Sequence, residues 1–238
     1  MTARLCTMAL ALASASLLLG SPPAVAGEKR YGLTSFERIV LNGDFIVEVT
    51  TRGPVSAVAN GSLDALDRLE LVSANGTLTI SDRRFSSNRA RGASAGAVTI
   101  RINAARLTSA TVVGAGSLTI DKLAGANVAL NLRGPGSLAV KDIAADRLTL
   151  AMVGSGKVVL SGRAKAAETR VAGAGLVDAT GLAVTDLNAN AEGAGDQRYR
   201  AVRTAMVTAR GVGTVSVAGK PACTVRNLGS GSVTCGQP

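Results

Sequence analysis

The sequence predicts an all-β protein: a β-helix, or β-solenoid, preceded by a strand-rich capping region at the N-terminus. Three observations carry that expectation. A Gly-x-Gly triplet recurs seven times at nearly constant spacing. Apolar residues alternate with period two on both sides of each triplet. Hydrophobic residues make up 47% of the 238-residue chain while aromatics make up only 2%, with no Trp, a composition that suits a narrow interior of aliphatic side chains. The same figures exclude intrinsic disorder, which needs low hydrophobicity, and collagen, which needs glycine at every third position.

Met1 to Ala26 has the architecture of a secretory leader. Arg4 stands in a short basic region, an apolar run follows from Met8 to Leu19, and Ala24-Val25-Ala26 gives a small-x-small cleavage site before Gly27. The apolar run is about 12 residues, short of the roughly 20 that a membrane span needs. Cys6 leaves with the leader. The expected mature chain is exported, to the periplasm or the cell surface, and no later segment approaches spanning length. Loss of Arg4 brings its net charge to +9, against +10 for the whole chain. Residues 27–104, the strand-rich part, and 105–238, the Gly-x-Gly coils, are expected to make one continuous domain of about 36–235.

Tyr31 to Asn103 lacks the triplet but reads as strands. Asn42-Gly43, Asn60-Gly61 and Asn75-Gly76 are dipeptides favoured in tight hairpin turns. They separate apolar runs such as Phe45 to Val49 and Thr77 to Ile80. Asp64 to Arg68 reads as a short helical turn, and Arg83-Arg84 to Arg91, rich in Ser and Gly, as a basic loop. This part is expected to cap or continue the solenoid, because an uncovered end exposes a ladder edge to aggregation.

The triplets are Gly114/Gly116, Gly134/Gly136, Gly154/Gly156, Gly173/Gly175, Gly193/Gly195, Gly211/Gly213 and Gly229/Gly231, at intervals of 20, 20, 19, 20, 18 and 18 residues. Periods in this range mark a solenoid. Two and four positions after the second glycine stand Leu118/Ile120, Leu138/Val140, Val158/Leu160, Val177/Ala179, Gln197/Tyr199, Val215/Val217 and Val233/Cys235. Four and six positions before it stand Val112/Ala110, Leu132/Leu130, Met152/Leu150, Val171/Thr169, Ala191/Ala189, Ala209/Val207 and Asn227/Val225. Alternation of this kind marks strands with one buried face. Each unit therefore reads as strand, Gly-x-Gly bend, strand, short turn. Glycine suits the bend because it reaches positive φ and lets neighbouring backbones approach closely. Stacking the seven coils about 4.8 Å apart places Leu118, Leu138 and Val158 one above another in a shared ladder.

Phe36-Glu37-Arg38-Ile39-Val40, Val47-Glu48-Val49, Leu78-Thr79-Ile80 and the serial triplets together resemble the head GIN domain family, described as auto-transporter adhesin-like. The resemblance spans about Phe36 to Cys235. It implies an exported bacterial protein with a right-handed β-helical fold and no established biochemical activity.

The absence of histidine excludes Ser-His-Asp and Cys-His catalysis and every His-ligated metal site. Gly154-Ser155-Gly156-Lys157 lacks the earlier glycine and the hydroxyl residue of a P-loop. No Gly-x-Gly-x-x-Gly is completed with a βαβ unit. Some β-helices cleave acidic polysaccharide with two carboxyls placed across the scissile bond. Asp121 and Asp142 fall at similar places in successive coils and are the alternative, enzymatic reading. The favoured surface feature is an outward stripe, three and five positions before the second glycine, that carries Arg133, Arg170, Arg210 and Arg226, interrupted by Glu168 and Glu192. Arginine's planar fork suits carboxylate and phosphate. Cys223 and Cys235, the two cysteines that survive export, read as a disulfide clipping the last coil. No cofactor and no metal is expected. Nucleic acid is not an expected partner, since stacking aromatics are missing from the basic regions. The expected function is that of a non-enzymatic envelope or surface protein whose basic face binds anionic polysaccharide or another envelope component. A passive structural module is a further alternative.

Overall fold

The computed structural model describes residues 26–83 and 98–237. The leader up to residue 25 and the basic loop from Arg84 to Arg91 lie outside the described residues. The chain begins with β1 (Ala26–Tyr31), β2 (Arg38–Asn42), β3 (Ile46–Thr50) and β4 (Ser56–Ser62). The six-residue helix α1 (Leu63–Arg68) leads into β5 (Leu69–Ala74), β6 (Thr77–Asp82), β7 (Thr99–Asn103) and β8 (Ser109–Val113). Five long strands follow: β9 (Ser117–Arg133), β10 (Ser137–Gly154), β11 (Lys157–Gly173), β12 (Leu176–Gly193) and β13 (Asp196–Gly211). The described chain closes with β14 (Thr214–Ala218), β15 (Ala222–Asn227) and β16 (Ser232–Gln237). The result is an all-β solenoid of about six turns with mixed strands at its N-terminal end.

The expected ladder is present. Leu138 is in register with Leu118 on one side and Val158 on the other, and the column runs on through Val177, Gln197, Val215 and Val233. Leu118, Leu138, Val158 and Val177 are completely buried. The opposite wall stacks Ala110, Leu130, Leu150, Thr169, Ala189 and Val207, again all buried. Each wall thus buries alternate residues, which is what the period-two pattern demands.

The Gly-x-Gly corners are where successive rungs touch most closely. Gly136 N–H donates to Gly114 O at 2.9 Å and Lys157 N–H to Gly136 O at 3.0 Å. At Gly154 the backbone has φ +126°, and a Cβ there would lie 2.7 Å from Gly134 O. Glycine is required at that corner on both counts.

The two glycines of a corner have different tasks. Only the first glycines, Gly114, Gly134, Gly154, Gly173, Gly193 and Gly211, take that conformation. The second glycines, Gly116, Gly136, Gly156, Gly175, Gly195 and Gly213, do not, and in the last corner neither Gly229 nor Gly231 does. What the second position needs is room for the rung beneath it. A Cβ at Gly116 would lie 2.6 Å from Gly43 O and 3.0 Å from Phe45 O. At Gly175 it would collide with Met152 Cε and lie 2.8 Å from Gly156 O, and at Gly231 it would collide with Gly213 O. Close approach of backbones, and not a turn, accounts for these glycines.

The short turn expected on the far side is not a break in the ladder. Pairing between β9 and β10 continues through it, with Ile143 opposite Leu123 and Arg147 opposite Asn127. Leu123, Ile143 and Leu182 point inward there, so the turn forms a short third side of the coil.

The N-terminal part both continues and caps the solenoid. β2 pairs in parallel with β8 and β6, and β3 with β9 and β7. The rung made by β2 and β3 therefore sits between rungs that come later in the chain. Gly43 is its corner: Gly43 N–H donates to Val113 O at 3.0 Å, and Phe45 O accepts from Ser117 N–H at 2.9 Å. Asn42-Gly43 is thus a solenoid corner and not the expected hairpin turn, with Phe45 filling the place of a second glycine. Asn60-Gly61 is likewise no turn, because it lies inside β4 in antiparallel register with Gly27 and Glu28. Only Asn75-Gly76 makes a hairpin, joining antiparallel β5 and β6 with φ of 51° and 69°. The expected helical turn is present as α1, where the Ser62 hydroxyl accepts from Ala65 N–H. It buries Ala65 and Leu66 over the N-terminal end of the core.

The far end is open. Every residue of β15 is exposed, and Val225 and Leu228 are uncovered apolar side chains. The disulfide between Cys223 and Cys235 joins the two walls of this last coil. Cys223, although in inward phase, is exposed because no further rung lies over it. Closing a loop of this size removes about 3 kcal/mol of unfolded-state entropy in the chain-entropy model. Reduction is therefore expected to speed amide exchange in β15 and β16 while leaving β9 to β12 protected. Exchange mass spectrometry with and without reductant checks this, and uniform loss of protection would contradict it.

Candidate functional surfaces

The interior is filled by side chains, so the solenoid's chemistry lies on its outside. The expected arginine stripe resolves into two adjacent outward columns. One runs Thr111, Asn131, Ala151, Arg170, Asn190, Thr208, Arg226, and the other runs Val113, Arg133, Val153. Glu192 faces Arg210 in the latter's continuation. Two of the four arginines are neutralised locally: Arg170 pairs with Glu168, and Arg210 with Glu192 at 3.4 Å. Arg133 and Arg226 have no carboxylate partner among the described residues.

The paired carboxylates of the enzymatic alternative do not form. Asp142 is in register with Lys122, one position past Asp121. Asp121 Oδ1 accepts from both the N–H and the hydroxyl of Thr51 at 2.9 Å, and Asp142 pairs with Lys122 at 3.3 Å. Each carboxylate is occupied by a neighbour, which leaves no acid and base facing each other across a cleft. Gly154-Ser155-Gly156-Lys157 offers no phosphate cradle either. The Lys157 N–H is spent on Gly136 O, and the Gly154 and Gly156 carbonyls accept from Ala174 and Leu176. No group of three or more His, Cys, Asp or Glu side chains suited to a metal ion occurs among the described residues. No helix among the described residues is long and apolar enough to cross a membrane.

One polar cluster lies inside. Tyr199 donates to Gln197 Oε1 at 2.8 Å and accepts from the Thr169 hydroxyl at 3.1 Å, spanning the interior from wall to wall. All three are buried, and burial pushes the Tyr199 hydroxyl well above its ordinary pKa. The rungs around it supply Ala179, Ala189, Ala201 and Ala205, which make room for the ring. This cluster is structural. The inward phase of Gln197 and Tyr199 is legible in the repeat, but their partner on the opposite wall is not.

The feature that sequence reasoning missed is the third side. It carries Lys122, Lys141, Arg147, Arg163, Lys165, Arg200, Arg203 and Lys220. Three of these are paired: Lys122 with Asp142, Lys165 with Asp146 at 2.7 Å, and Arg203 with Asp186. Hydrogen bonds from Arg203 and then Thr204 hold the Asp186 carboxyl below the usual range. Lys141, Arg147, Arg163, Arg200 and Lys220 have no carboxylate partner among the described residues. The cations of this side are scattered in the sequence across segments that look like turns. Those segments go on pairing from rung to rung, with the register shifts of the ladder concentrated in them.

Residues 35–221 match the family described as "Putative auto-transporter adhesin, head GIN domain". The chain belongs to the head GIN domain family. No curated protein matches it in sequence. Among solved structures, this head GIN domain is similar to a "putative adhesin" from Bacteroides fragilis, with a TM-score of 0.82 and 20% identity, covering 88% of this chain and 96% of that one. It is also similar to a "putative lipid binding protein" from Parabacteroides distasonis, with a TM-score of 0.73, 20% identity and the same coverage. A "putative adhesin" from Parabacteroides merdae gives a TM-score of 0.68 at 17% identity, covering 88% and 95%. At these identities the likeness concerns the head GIN fold.

Proposed function

We propose that this head GIN domain is an exported, non-enzymatic envelope or surface protein that binds anionic polymer through its outward basic side chains. The observation that carries this reading is the separation of roles within each rung. Alternate residues are spent on a filled interior, and the remainder presents an excess of cations, with a net charge of +10 for the whole chain and +9 without the leader. An anionic partner follows from that charge. The adhesin names of structurally similar proteins and the disulfide at the open end support display outside the cytoplasm. Asp121 and Asp142, each held by its own neighbour, weigh against glycan cleavage. In the stripe, Arg133 and Arg226 are the groups free to contact a ligand, with Arg170 and Arg210 available on release from their glutamates.

The test is binding of the mature protein to immobilised polygalacturonate and to neutral dextran across a salt series, with reducing-end release measured in parallel. Retention on the acidic polymer alone, weakening steeply as salt screens the charges, is the expected outcome, with no release of ends. Equal retention on dextran, or measurable cleavage, would contradict it.

A further inference from the structure

We infer that the third side of the coil is the principal groove for a linear anionic polysaccharide, lying along the solenoid axis across successive rungs. This rests on the reading that the protein binds anionic polymer and assigns where. Ala144, Arg163, Ala183 and Arg200 are consecutive members of one column, each in register with the next. Arginine and alanine alternate, so the two guanidiniums stand two rungs apart, about 10 Å at the usual strand spacing. Ala183 between them and Ala144 beyond Arg163 leave low ground where a chain can lie against the backbone.

A second column beside it runs Asn127, Arg147, Ala166, Asp186, Thr204, Ala222. Arg147 therefore flanks the first column near one end, and Lys220, exposed just before β15, extends the charge at the other. Lys141 precedes the turn in the Arg147 rung. The three acids nearest to these columns, Asp142, Asp146 and Asp186, are each engaged with a different cation, Lys122, Lys165 and Arg203. Among the described residues, five cations thus have no carboxylate partner on one narrow side, against two in the arginine stripe. The spacing along the axis matches a repeating ligand better than a single small anion, because guanidiniums two rungs apart cannot both close on one small group.

Acidic polysaccharide is favoured over two other polyanions on composition. Nucleic acid gains much of its affinity from aromatic platforms, and neither tyrosine of the described residues lies on this side. An anionic membrane surface rewards exposed apolar side chains beside the charge, and Val202 is the single large exposed one here. Arginine's two-oxygen fork suits the carboxylates that repeat along such a glycan.

The experiment compares two variants of the mature protein with the wild type on polygalacturonate: Lys141→Gln/Arg163→Gln/Arg200→Gln on the third side, and Arg133→Gln/Arg226→Gln in the stripe. All substituted side chains are exposed, and thermal unfolding confirms that each variant folds. The third-side variant is expected to bind roughly ten- to a hundredfold more weakly, with a shallower salt dependence, while the stripe variant loses less. Equal losses, or a larger loss in the stripe variant, would overturn the third-side assignment while leaving anionic-polymer binding intact. Absence of wild-type binding to polygalacturonate would overturn both. Retention on phosphatidylglycerol vesicles but not on the polysaccharide would overturn the choice of glycan.

Discussion

Gly154→Ala is expected to cost about 4 kcal/mol and to loosen the solenoid at its middle rungs, whereas Ser155→Ala in the same corner is expected to cost less than about 0.5 kcal/mol. The glycine has φ +126°, a conformation that an L side chain adopts only with strain. Its Cβ would also meet backbone, lying 2.7 Å from Gly134 O and 3.1 Å from Gly134 C and Cα. A clash with backbone is relieved only by prying two rungs apart. That breaks the bonds from Gly134 N–H to Val153 O and from Lys157 N–H to Gly136 O. Ser155 is exposed, and its side chain reaches no neighbour in the same way. Chemical denaturation of both variants, followed by amide exchange to locate the loosened rungs, checks the contrast. Matching midpoints for Gly154→Ala and the wild type would show that the corner tolerates a side chain. Small domains hold only about 5 to 15 kcal/mol in total, so loss of soluble protein is part of the expected result.

Replacing Tyr199 by Ala is expected to destabilise the protein by about 3 to 5 kcal/mol, and by Phe about 1 to 3 kcal/mol. The first change removes the largest fully buried side chain and leaves a hole among alanines that cannot close over it. The second keeps the ring and removes one hydroxyl. It strands Gln197 Oε1 and the Thr169 hydroxyl inside the core without their partner. The direction with pH follows from the same burial. Tyr199 titrates in the fold above its unfolded value of 10.0, so the protonated form favours folding. Its contribution is fully present below about pH 10 and falls as pH rises beyond it, where the unfolded state gives up a proton that the folded state keeps. Tyrosinate absorbance is therefore expected to report Tyr199 only together with unfolding. Ionisation of both tyrosines in the still-folded protein would contradict the buried cluster.

The strand pattern was legible because a solenoid repeats its local rule. The residues flanking each triplet alternate inward and outward, and every inward position from Leu118 to Val217 on that wall is buried. Four features were not legible. Asn42-Gly43, Asn60-Gly61 and Asn75-Gly76 look alike in sequence, yet one is a corner, one lies within a strand and one is a hairpin, since each outcome depends on which strand lies alongside. The paired glycines also look alike, but Gly114 bends the chain while Gly116 only clears space for Gly43 and Phe45, two residues of the adjacent rung that lie far away in sequence. Asp121 and Asp142 lie in neighbouring turns, and counting from the second glycines already sets Asp142 level with Lys122 and not with Asp121, but no count could show that Thr51, seventy residues earlier, claims Asp121. Charge neutralisation on the stripe was foreshadowed by Glu168 and Glu192. The basic third side was hidden because its cations sit in segments that resemble loops.

The sequence by itself determined the repeat, the inward ladders, the glycine corners and the cysteine clip. These are local consequences of backbone sterics and of a two-residue side-chain period, and they return in every unit. Only the tertiary structure decided the order of the first rungs, where β2 and β3 slide between β6–β7 and β8–β9. It alone decided that α1 closes one end while the other stays open, and which cations keep their charge unpaired. Those outcomes depend on partners tens of residues away, and a rung's own sequence encodes which face it buries but not which rung will cover it.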